Sequence, residues 1–144
     1  MNPTQKQHPT PGALADLTPA DTLRCAARYL ELRGWAQGSL YQRTTDTPFP
    51  PACVTGAIGM AVDGDCVWAA LGDSPEVDRA LRFLADYLQR DGRVRESDYH
   101  GALCYSDHEI VADWNDDATQ TLPDVLAILG DAADDYDRAH GGTR

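Results

Sequence analysis

Residues 17–35, "LTPADTLRCAARYLELRGW", decide the fold class. Thr18 can accept a hydrogen bond from a free amide as N-cap. Pro19 suits the first helical turn, where a missing N–H costs nothing, and Asp21 at the third position meets the positive end of the helix dipole. Leu23, Ala26, Ala27 and Leu30 recur at helical spacing. Gly34 offers a left-handed residue to end the helix, and Trp35 just beyond can fold back on the last turn as an apolar lid. The same grammar recurs further along the chain. Ser74 or Asp73, with Pro75 and Glu76, opens a helix whose stripe is Val77, Ala80, Leu81, Leu84 and Leu88 and which Gly92 ends. Thr121, Pro123 and Asp124 open another, with stripe Val125, Ile128, Leu129, Ala132 and Tyr136, ending near Gly141.

The segments between these helices are less regular. "PPACVTGAIGMAVDGD" (50–65) puts Cys53, Gly56, Ala57, Met60 and Ala61 on one face, so a neighbour can approach closely despite a cost of about 1 kcal/mol per glycine. It is expected to be the most buried helix. Residues 36–50 read as a loop in which only 39–44 could extend, and 93–108 as charged and irregular. "HEIVADWNDD" (108–117) reads as one or two helical turns with Ile110, Val111 and Trp114 facing inward. The expectation is a mainly α, single-domain, orthogonal or bundle-like fold of four to five helices, with room for one short strand pair. The domain should span 18–140, with an N-terminal tail over 1–17 and a flexible C-terminus over 141–144.

Composition narrows the function. With 144 residues the chain can bury a core without disulfide or metal staples. Cys25, Cys53, Cys66 and Cys104 are separated by 28, 13 and 38 positions, a pattern of free thiols in a reducing cytoplasm. The N-terminus shows no signal pattern, and no run of eighteen apolar residues occurs, so neither export nor membrane insertion is expected. Charge is uneven: residues 91–144 hold 13 acids against 4 bases, which is −9 of the net −11. Such a field repels phosphate backbones and favours a basic protein partner, although acids can also serve solubility alone.

Three constellations could carry chemistry. Cys53 near a helix start would feel the dipole and free amides that lower a thiol pKa, and the order Cys53, then His100 or His108, then Asn115 matches cysteine hydrolases. Any chain with several histidines meets that order often, and a small apolar residue at a tight helix start is the simpler reading. His100, Cys104 and His108 share an i, i+4, i+8 spacing, with Asp107, Asp98 or another cysteine as a fourth ligand, although Gly101 and Ser106 disfavour a regular helix there. Asp113, Asp116 and Asp117 lack the alternating ligands of a calcium loop, and "GAIGMAVDGD" lacks the Lys-Ser/Thr of a phosphate loop. No metal or cofactor is expected.

"RGWAQG", "CVTGAIGMA" and "IVADWNDDATQTLPDVLAILGDAAD" together resemble a small family of uncharacterised domains from actinobacteria and their phages and plasmids. The resemblance rests on RGW-x-QG, C-x-x-GA and WND, and covers roughly 20–135. It matches Gly34, Trp35, Gln37, Gly38, Cys53, Gly56, Ala57, Trp114, Asn115, Asp116 and Thr121. It implies an accessory role in a cytoplasmic setting and no particular activity. Trp35, Gln37, Trp114, Asn115 and Asp116 are the expected binding positions, while Trp114-Asn115-Asp116 itself reads better as a structural joint than as an active site. The expected function is a non-enzymatic acidic interaction module. The alternative is a hydrolase or transferase using Cys53, His108 and Asn115.

Overall fold

A computed structural model of the chain describes residues 17–42, 47–64, 66, 74–94 and 106–141. Among these are five helices: α1 (Pro19–Arg33), α2 (Val54–Asp63), α3 (Pro75–Arg90), α4 (Asp107–Asp116) and α5 (Leu122–Ala139). The expected mainly α fold is therefore present. The reading of 1–16 as a tail and of 142–144 as a flexible end falls outside the described residues.

Local chemistry explains each start. Thr18 and Asp21 form a reciprocal capping box, with Asp21 N donating to Thr18 Oγ1 at 3.1 Å and Thr18 N donating to Asp21 Oδ2 at 3.3 Å. Ser74 Oγ accepts from Val77 N and Thr121 Oγ1 from Asp124 N. α4 begins one residue earlier than its apolar pattern suggests, because Ser106 accepts from Glu109 N and caps it. At α2, Cys53 is the N-cap itself and lies outside the first turn, its sulfur accepting from Gly56 N at 3.4 Å. Gly34 has φ 107° and ψ 157°, so it departs from the left-handed helical conformation expected of it. The chain must leave α1 extended there, since Trp35 pairs with Ala52 in a parallel bridge.

That bridge is part of a small wrap. Ala36 N donates to Ala52 O, Ala52 N to Gly34 O, Gln42 N to Pro51 O, and Cys53 N to Leu40 O, at 2.8–3.1 Å. Tyr41 pairs antiparallel with the same Ala52. The expected short strand pair is thus reduced, among the described residues, to two isolated bridges around one buried alanine.

α1 packs mainly on α2 and α5, while α3 packs on α4 and α2 also meets α3 and α4. The expected burial of α2 holds, with Val54 through Met60 all buried. Each predicted stripe faces the core: Leu23, Ala26 and Leu30 of α1, Val77, Ala80, Leu81, Leu84 and Leu88 of α3, and Val125, Ile128, Leu129 and Ala132 of α5 are buried, with Ala27 and Tyr136 partly buried at the edge. Burying one such leucine or isoleucine contributes about 1.5–3 kcal/mol. Arg24 joins α1 to α5 through Asp134 and Asp137, both at 2.8 Å, and Arg90 joins α3 to α5 through Asp135 at 3.0 Å. These exposed pairs each contribute about 1 kcal/mol at most, so packing rather than charge holds the helices.

Candidate functional site

α4 delivers Trp114, Asn115 and Asp116 on its last turn, and each faces a different environment. Asn115 is only 1% exposed. Its Oδ1 accepts from Trp35 Nε1 at 2.9 Å and from Val54 N at 3.0 Å, while its Nδ2 donates to Ala36 O at 3.1 Å and to Asp116 Oδ1 at 2.8 Å. Two donors meet the oxygen and two acceptors meet the nitrogen, so the amide orientation is fixed by its surroundings and its main capacity is spent. Val54 N is the first amide of α2, one of the donors that a helix start leaves without an intrahelical partner. Asn115 therefore caps α2 from a distance, beside the local cap supplied by Cys53.

The exit of α4 is satisfied in return. Gln37 Nε2 donates to Asn115 O at 3.0 Å and Asp117 O at 2.9 Å, Gln120 Nε2 donates to Trp114 O at 3.1 Å, and Gly38 N donates to Asp116 Oδ1 at 3.0 Å. Gly56 lets the 40–41 segment approach the start of α2 closely. A Cβ there would stand 2.3 Å from Leu40 O and 3.0 Å from Tyr41 Cε1, so only glycine fits. The three sequence elements RGW-x-QG, C-x-x-GA and WND thus meet in one clamp.

A family model for DUF6197, a family of unknown function, matches residues 14–135. The chain belongs to this family. No curated protein and no solved structure matches it. In this DUF6197 domain the elements that carried the resemblance are the parts that hold 34–38, the start of α2 and the end of α4 together.

The cysteine constellation takes a different shape from the one its order suggests. Cys53 is 6% exposed, and its sulfur is engaged by Gly56 N. Burial pushes the thiol above its ordinary value; the amides of Gly56 and Thr55 pull it down, and Asp116 adds to the rise. Desolvation thereby outweighs the helix-start effect that would favour a thiolate. Asn115 reaches the amide of Val54, next to Cys53, and the sulfur has no hydrogen bond to Asn115 or His108 among the described residues. His108 lies half-buried in the first turn of α4, with its Nδ1 shielded and without a hydrogen-bond partner. His100 and Cys104 lie outside the described residues. α4 starts at Asp107, so His108 is its second residue.

The acidic trio separates as well. Asp116 serves Asn115 and Gly38, whereas Asp117 Oδ1 accepts from Thr119 N at 2.8 Å and Thr119 Oγ1 at 2.6 Å. The Thr119 hydroxyl, and then its amide, hold the Asp117 carboxyl below the usual carboxylate range. Among the described residues no group of three His, Cys, Asp or Glu side chains is gathered as a metal-holding set.

Beyond the clamp, on the α4–α5 joint, lies a cleft of about 350 Å³. Buried Val94, Trp114 and Ile128 supply its apolar lining, and exposed Asp113, Asp117 and Asp124 supply carboxylates. Trp114 is therefore shared between the core and the cleft, 7% exposed. Sequence reasoning missed this cleft because Val94, Ile128 and Asp124 belong to three separate local patterns. The only hint was that Asp113 sits one residue before the tryptophan.

Proposed function

We propose that this DUF6197 domain is a non-enzymatic, cytoplasmic interaction module that engages a basic protein through the acidic joint of α4 and α5. The observation that carries the reading is where the acids lack counter-charges. Residues 106–141 contain ten Asp and Glu against a single arginine, Arg138. Arginines of α1 and α3 reach Asp134, Asp135 and Asp137 on α5. Asp113, Asp117 and Asp124 have no ion pair among the described residues; Arg93, which also lines the cleft, pairs with Asp91 at 2.9 Å and interacts electrostatically with Asp124 without reaching it as an ion pair. A concentrated negative field of this kind attracts cationic surfaces and repels nucleic-acid backbones. No helix among the described residues is long and apolar enough to cross a membrane, which fits a partner met in solution. The WND-centred resemblance adds an accessory setting in actinobacteria, their phages or plasmids.

The test is affinity capture from the source cell's lysate at about 50 mM and about 500 mM salt, where screening lengths differ severalfold. The wild type and a variant with Asp113, Asp117 and Asp124 all changed to Asn serve as paired baits. A partner held at low salt, released at high salt and absent from the variant supports the reading. If no salt-sensitive partner distinguishes the baits, the reading fails.

The thiol-based alternative, with Cys53, His108 and Asn115 as nucleophile, base and orienting group, has less behind it, because the sulfur is buried and its pKa raised. Its test is the pH dependence of alkylation in the folded protein. Exposed Cys25 should react first, and Cys53 should stay protected through the ordinary thiol range until the chain is unfolded. Rapid labelling of Cys53 near neutral pH would revive the enzyme reading.

A further inference from the structure

We draw no further inference here: the strongest candidate, the surface patch of exposed Leu32 and Phe49 about Arg33 at the end of α1, carries nothing because nothing in the structure shows what covers it.

Discussion

The two sides of the Trp114–Asn115–Asp116 tripeptide differ in how their polar groups are spent. On the clamp side, one buried asparagine meets four polar partners, and the segments it joins repay it with bonds to the exit of α4. On the cleft side, carboxylates a few residues away have no ion pair among the described residues. A buried polar group must be satisfied or it costs more than it contributes, so the clamp is under folding constraint. Exposed carboxylates carry no such penalty, and their crowding costs a little stability through repulsion, which a fold tolerates when something else depends on it. The lesson is that one short motif can hold a fold with one face and meet its surroundings with the other.

The sharpest way to break this comparison is Asn115→Ala. It leaves the Trp35 indole N–H, the Val54 amide and the Ala36 carbonyl without their partner, and we expect a loss of about 3–4 kcal/mol in urea unfolding. A loss below about 1 kcal/mol would mean that water replaces the asparagine and that the clamp is not structural. Next comes Gly56→Ala, expected to cost about 2 kcal/mol by thermal unfolding because its Cβ would be driven into Leu40 O. Gly130→Ala on α5 is the matched control: nothing lies within 4 Å of the added carbon, and the better helix former should stabilise by about 0.5–1 kcal/mol. Trp35→Phe keeps most of the ring and removes one donor to Asn115 Oδ1, for about 1 kcal/mol.

The smallest effect belongs to the cleft side. Because the folded Asp117 titrates below its unfolded value, its contribution is fully present above the ordinary carboxylate range and disappears as pH falls through the lowered value. Thr119→Val should return the Asp117 carboxyl towards its usual value in an NMR titration, with little change in stability near neutral pH. A titration that does not move would show that the Thr119 amide alone sets it.

How much of this was legible in the sequence depends on range. Thr18, Ser74 and Thr121 were readable as caps because a cap and its amide lie three residues apart, and the stripes of α1, α3 and α5 because helical spacing is local. Cys53 was read only as lying near the start of α2, because cysteine is not among the usual capping residues, although its sulfur takes the Gly56 amide at the same three-residue range. Gly34 was given a left-handed end because the pairing of Trp35 with Ala52 depends on residues beyond the helix. Asn115 was the deepest miss. It was read as part of a structural joint without any long-range partner, whereas apart from Asp116 its side-chain partners stand 61 to 80 positions away. Of those partners the resemblance had matched only Trp35; Ala36 and Val54 fall on the unspecified positions of RGW-x-QG and C-x-x-GA, and shared letters carry no distances. The cleft was invisible for the same reason.

The length of those spans also orders events in time. Residues 35–38 and 54 can meet Asn115 only after α1, α2 and α4 have been brought together, so loop-closure entropy is spent before any bond of the clamp is made. The clamp is then expected to form late in folding, and hydrogen exchange would check it: the Trp35 indole N–H and the Val54 amide should exchange together, at one shared opening of the clamp.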